Sequence, residues 1–205
     1  MLIPMWAQHK VKSNYEKYSQ VRSTSGKTGR EVAEEILHAN GIYDVDVVKG
    51  EGFLTDHYDP NKKVVCLSPA NFDRPSVAGT AIAAHEVGHA IQHQQGYAFL
   101  RFRTALVPLA NIGSSLSYII IMAGIFLTAL GSAFGSTALW IGAGLMSLAV
   151  LFSIVTLPVE FDASSRAMKQ ITALNIVNEK EYKHARKVLS AAAMTYVAAT
   201  ATAVA

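Results

Sequence analysis

Ala83–His93 reads AAHEVGHAIQH, and the reading of its three histidines decides how the rest of the chain is arranged. His85, Glu86 and His89 form the pattern H-E-x-x-H. On a helix, residues four apart share a face, so both imidazoles aim at one point. Zinc takes imidazole nitrogen at about 2.0–2.1 Å, which such a pair can satisfy together. Glu86 follows the first histidine, so its carboxylate is placed to hold a metal-bound water rather than the metal, as in metalloprotease chemistry. His93 fails as a third ligand because it lies about 12 Å from His85 along a continuous helix. The longer motif with a third histidine breaks the helix at a glycine, and Gln92 occupies that position. His93 is therefore expected as a polar residue near the site or the membrane surface. Ser76 as N-cap and Gly96 as terminator bound the helix that carries the motif.

A third donor has to come from elsewhere. Thr104 to Val159 contains no Asp, Glu, Lys, Arg or His. A spanning helix needs about 20 apolar residues, so this run holds two spans and a tight turn, the turn being ALGSAFGSTA (Ala129–Ala138). The expected spans are Pro108–Leu130 and Thr137–Leu157, within a transmembrane helical hairpin over 104–158. Just beyond it, Pro158 or its neighbour begins a further helix that runs to about Leu174, and LPVEFDASSRA places Glu160 at its start. A carboxylate beside lipid-facing apolar residues is costly unless a cation satisfies it. The His2Glu zinc set, with water in the fourth position, requires such a donor. Glu160 is the expected third ligand. Asp162, on a different helix face, is the runner-up or a group behind the ligands, and Ser164, one turn after Glu160, is placed to hydrogen-bond a ligand.

The hairpin then has a purpose, since it brings the two halves of the zinc site together at the membrane surface. Residues 1–103 form the N-terminal part of the catalytic unit, and 159–205 supply the third-ligand helix and a C-terminal helix. Small residues on the motif helix (Ala78, Gly79, Ala81, Ala84, Gly88) allow a neighbouring helix to approach closely.

The remaining segments point to an α+β chain, mostly α, with a small sheet. TGREVAEEILHANG has Thr28 as N-cap, Glu31 three residues later and Asn40-Gly41 as a stop, the signature of a short amphipathic helix. YDVDVVKG and KKVVCLS read as strands, and HYDPNKK (His57–Lys63) as a turn. A last helix from about Glu179 becomes apolar after Val188. It is either a third membrane segment or a helix packed on the other two. MLIPMWA is too short for a signal sequence and lacks a basic lead, so the chain starts either as a peripheral helix or after an upstream anchor. STSGKTG ends like a phosphate loop, but Val21 stands where that motif needs its first glycine.

Composition narrows the partners. The net charge is +3 with scattered positive residues, which offers no stripe to track a phosphate backbone and argues against nucleic acid. Cys66 is the single cysteine, so it reads as a small buried hydrophobe rather than a disulfide or CxxC partner.

LTDHYDP, AAHEVGHAIQHQQGYA, ALVPLANIGS, LPVEFDAS and VLSAAAMTYVAA, in this order, resemble the bacterial membrane zinc metallopeptidases of the YugP type, a neutral zinc peptidase family. The likeness runs from about Ser23 to Ala199. It implies a gluzincin-like membrane protease with a zincin-like (minigluzincin-type) core. In that reading one Zn2+ sits on His85, His89 and Glu160, and Glu86 is the catalytic base. Asp162 departs from the family pattern, which more often has Asn there.

The chemistry expected is peptide hydrolysis of a peptide or protein substrate by metal-activated water, with Glu86 passing the proton to the leaving amine. A second donor to the oxyanion is usual, and His57, Arg166, His184 and Tyr196 are the candidates. KKVVCLS is a strand to which an extended substrate could add. Arg101 and Arg103 before the hairpin, and Arg166 and Lys169 after it, set both ends and the zinc site on the cytoplasmic side of a multi-pass bacterial membrane protein. The rival readings are a non-proteolytic zinc scaffold, closed by a fourth ligand such as His57 or Asp162, and a di-metal carboxylate protein, which lacks its second Glu-x-x-His pair.

Overall fold

Local caps set the helix ends. The structure, a computed structural model, describes residues 2–204. Helix α1 spans Leu2–Ser19 and α2 spans Gly29–Ala39. Thr28 caps α2 in a full capping box: its hydroxyl accepts from the Glu31 N–H, and the Glu31 carboxylate accepts from the Thr28 N–H at 2.8 Å. Val32, Ala33, Ile36 and Leu37 form the buried stripe of α2, the helical spacing seen in the sequence.

Three strands follow, β1 (Asp46–Lys49), β2 (His57–Asp59) and β3 (Val64–Leu67), in the order β1-β3-β2. The pair β1–β3 is parallel and β2–β3 antiparallel. The expected turn over His57–Lys63 is corrected at its first half. His57 and Tyr58 find ladder partners in Cys66 and Val65 and are strand, and the bend comes only where Asp59 Oδ1 accepts the N–H groups of Asn61 and Lys62. On β3, Val65 and Leu67 are buried, while Cys66 points the other way and is only partly buried. A short helix α3 (Pro69–Asp73) leads to α4 (Val77–Gln94). Ser76 caps α4 by accepting the Gly79 N–H at 3.0 Å, and Gly96 at φ +63° turns the chain away at its end.

Two long helices come next, α5 (Ala98–Ala129) and α6 (Phe134–Ala173), joined by a turn in which Gly131 takes φ +74°. Both are long and apolar enough to cross a membrane. Ile119, Phe126 and Trp140 are 62%, 64% and 80% exposed, so other protein segments leave much of the hairpin surface uncovered. The expected boundaries are corrected here. Pro108 and Pro158 lie inside the helices rather than at their starts, so Glu160 sits well within α6. An interior proline costs about 3 kcal/mol in a water-exposed helix, whereas apolar helices tolerate one where local adjustments satisfy the freed carbonyl.

Helix α7 (Glu179–Val204) packs along α1, α4 and α6, and it is not one of the two helices with spanning length and hydropathy. One core joins both sides of the hairpin: Tyr15 and Tyr18, the α2 stripe, Val65 and Leu67, the inner face of α4, Ala167 and Ile171 of α6, and Val188 and Leu189 of α7.

Candidate metal centre

Helix α4 presents His85, Glu86 and His89 to α6, and the two helices meet closely because Gly88 has no side chain. A Cβ there would lie 2.6 Å from the Ala163 carbonyl oxygen. This approach carries Glu160 between the imidazoles. Its Oε2 is 3.2 Å from His85 Nε2 and 3.7 Å from His89 Nε2, and one donor atom from each of the three residues lies within 4.8 Å of the others. The rings of His85 and His89 stand edge to face at 4.8 Å.

The far nitrogens are also engaged. Ser164 Oγ is 3.1 Å from His85 Nδ1, as its position one turn after Glu160 implied. Gln92 Oε1 lies 3.0 Å from His89 Nδ1. The Gln92 amide nitrogen donates to the Val159 carbonyl and to Asp162 Oδ2, both at 2.8 Å. Two acceptors fix which end of the amide is nitrogen, so its oxygen must accept from His89. His89 therefore carries its proton on Nδ1, which leaves the Nε2 lone pair directed at the shared point. Asp162 braces this amide and pairs with Arg166, and it stands outside the converging group. Gln92 is the residue that sequence reasoning missed. Its only sequence signal was its place one turn after His89 on the same face.

The cleft in front of these groups is lined by His57, Tyr58, Leu100, Arg103 and Tyr196 together with Glu86. Glu86 is buried, and burial pushes its carboxyl above the ordinary glutamate range despite the nearby imidazoles. Burial acts on Glu160 in the same sense, but its contacts with the imidazoles of His85 and His89 outweigh it and hold that carboxyl well below the usual range. Burial alone would lower His89, and contact with Glu160 and Glu86 overrides it in the upward direction. Arg103 reaches to 4.0 Å from Glu160 Oε1.

Of the four candidate oxyanion donors, the structure brings two to the cleft, His57 and Tyr196. Arg166 is held by Asp162 and Gln95, and His184 stacks on Tyr18. His93 bonds the Tyr58 hydroxyl at 2.8 Å. The expected substrate strand is corrected too, because β3 is the central strand with both edges occupied. Among the described residues, the sheet edge beside the cleft belongs to β2, whose His57 and Tyr58 line it.

Two imidazoles and one carboxylate, all converging and largely buried, form the donor set that zinc accepts, and the buried carboxylate supplies the charge a cation would neutralise. The family model described as "Putative neutral zinc metallopeptidase" matches residues 1–205. The chain belongs to this family. It is also similar to the "Putative membrane protease YugP" of Bacillus subtilis (strain 168), 46% identical over 197 residues that cover 96% of this chain and 85% of the relative. No solved structure matches. Family membership and donor set agree on zinc as the metal.

Proposed function

We propose that the protein is a membrane-embedded zinc endopeptidase with His85, His89 and Glu160 as metal ligands and Glu86 as general base. The observation that carries this reading is the convergence of both imidazole Nε2 atoms on one Glu160 oxygen, beside a buried Glu86 that lines the same cleft. One zinc ion per chain, bound there, would supply Lewis acidity that lowers the pKa of its water to about 7 and polarises the scissile carbonyl. Glu86 takes a proton from the attacking water on its carboxylate and delivers it to the leaving amine. Gln92 and Ser164 hold the two imidazoles in orientation. Tyr196, pushed by burial up to about 12, keeps its proton at neutral pH and can donate to the oxyanion from the cleft wall, as can His57. An extended peptide adds along the free edge of β2.

In this reading the core is zincin-like. Residues 1–103 and 159–205 are one catalytic unit interrupted by the 104–158 hairpin, which crosses the bacterial cytoplasmic membrane. The uncovered apolar surface of α5 and α6 supports the crossing, as does the description of the Bacillus relative as a membrane protease. Arg101, Arg103, Arg166 and Lys169 at the hairpin base favour a cytoplasmic site. A zinc scaffold without activity would close its metal with a fourth protein ligand, and among the described residues the metal-competent group holds three.

The test compares wild type with Glu86→Gln in detergent at equal zinc loading, on casein and a broad peptide set. Cleavage should fall by about 10²–10⁴-fold with zinc retained. Zinc retention with no cleavage by either protein would overturn the protease reading.

A further inference from the structure

A groove of about 840 Å³ runs between α6 and α7, within the size range of pockets that hold small ligands. On α6 it is lined by Phe161, Ser165, Met168 and Thr172, the stripe opposite Ala163, Ala167 and Ile171, which are buried. The groove is therefore separate from the metal cleft, although Ser164 borders it and its hydroxyl bonds His85.

Three features of the groove identify an occupant. First, its end nearest the hairpin is apolar, formed by Phe161, Leu189 and Ala193, and Phe161 is 48% exposed, so the groove opens onto the same uncovered apolar surface as α5 and α6. Second, its two charged residues are Lys169 and Arg186, and no carboxylate lines it. Both cations are exposed, and neither belongs to an ion pair among the described residues. Third, the order along the groove is fixed. Lys169 follows Phe161 by about 12 Å along α6, and Arg186 lies a similar distance from Ala193 along α7, so positive charge stands outward of the apolar end. The Lys169 side chain leans toward the N-terminal end of α6, which is the hairpin side.

We propose that this groove binds one anionic phospholipid, with an acyl chain along Phe161, Leu189 and Ala193 and the phosphate between Lys169 and Arg186. An apolar tail and a single anionic head, in that order away from the bilayer, match the groove's polarity. The site rests on the membrane placement of the hairpin and is independent of the protease reading.

The experiment uses the full chain, purified in detergent and titrated by native mass spectrometry with phosphatidylglycerol and with phosphatidylcholine of the same acyl chains. One tightly retained phosphatidylglycerol is expected, preferred by about tenfold, since each cation near an anionic head contributes on the order of a fewfold. Lys169→Gln/Arg186→Gln should abolish that preference, Ser190→Trp should reduce binding of both lipids by filling the groove, and Lys62→Gln should change neither. Equal binding of the two lipids, or a preference that survives the double variant, would overturn the proposal. Inorganic phosphate or glycerol phosphate bound as tightly as the lipid would reassign the groove to a soluble anion. An acidic amphipathic peptide that binds where phosphatidylglycerol does not would reassign it to a protein partner.

Discussion

Replacing Gly88 with alanine should damage the metal site as well as the fold. A Cβ at Gly88 would lie 2.6 Å from the Ala163 carbonyl oxygen, against 3.4 Å for ordinary contact, a deficit of about 0.8 Å. The other atoms it meets, the Ala163 carbonyl carbon and Cα at 3.2 Å, are also backbone. No rotamer change or truncation at Ala163 relieves the clash, so α4 and α6 must part. Gly88 lies beside His89, and Ala163 lies one turn after Glu160, so the parting falls on the converging donors themselves. Zinc sites tolerate deviations of about 0.2 Å, a quarter of the displacement required. Overpacking of this kind costs about 1–3 kcal/mol in stability. We expect zinc affinity, measured by competition with a chromophoric chelator, to fall about tenfold to a hundredfold, the scale seen when the supports of a ligand are disturbed. The unfolding midpoint of the metal-free protein should fall by about 2–12 °C, at about 2–4 °C per kcal/mol. An affinity within twofold of wild type would refute the argument, because it would mean the helix spacing does not set the ligand geometry.

Gln92→Leu should lower zinc affinity by about 10–100-fold, because it removes the acceptor for His89 Nδ1 and the donor to Val159 and Asp162; the same chelator competition tests this, and an unchanged affinity would rule out the orienting role. Thr28→Ala should destabilise the protein by about 1 kcal/mol without changing zinc affinity, measured by chemical unfolding beside the metal titration. At Glu31 the backbone N–H of Thr28, with its hydroxyl, lowers the carboxyl pKa from 4.5. Its stabilising contribution is therefore complete above about 4.5 and lost as pH falls through the lower folded value, so Glu31→Gln should show a smaller acid-side drop in the unfolding midpoint than wild type.

What the sequence revealed was local or forced by cost. The capping box at Thr28 and Glu31, the Ser76 cap and the face shared by His85 and His89 depend on residues within a turn of one another, and spacing alone specifies them. The place of Glu160 beside the two imidazoles was legible for another reason: a carboxylate at the edge of a long uncharged run needs a compensating partner. The errors came where partners distant in sequence overruled local preference. His57–Asp59 reads as turn because Asp59-Pro60-Asn61 follows, yet Cys66 and Val65 offer ladder bonds to its first two residues. Pro158 reads as a helix start because proline cannot donate, yet α6 continues through it. Gln92 gains its role only when α4 and α6 are placed side by side, and its place one turn after His89 is the sole sequence signal of it.

The same packing bears on whether the metal builds the site or finds it built. In small zinc modules the ion supplies most of the folding energy and the metal-free chain is unfolded. Here a buried apolar core joins both sides of the hairpin, and the contacts that set the positions of the three donors lie within the protein. Gly88 against Ala163 fixes the distance between α4 and α6. The Gln92 amide ties His89 to the Val159 carbonyl, next to Glu160, and Ser164 holds His85 from the other side. Helix α6 carries both the apolar segment and Glu160 without interruption, and α5 is packed along it, so the hairpin restrains the third donor even though some seventy residues separate it from the first two. The chain length between the donors thus adds little to the entropic cost of bringing them together when the ion binds. Most of that cost is met in folding, so the three donors stand close to one another before any ion binds.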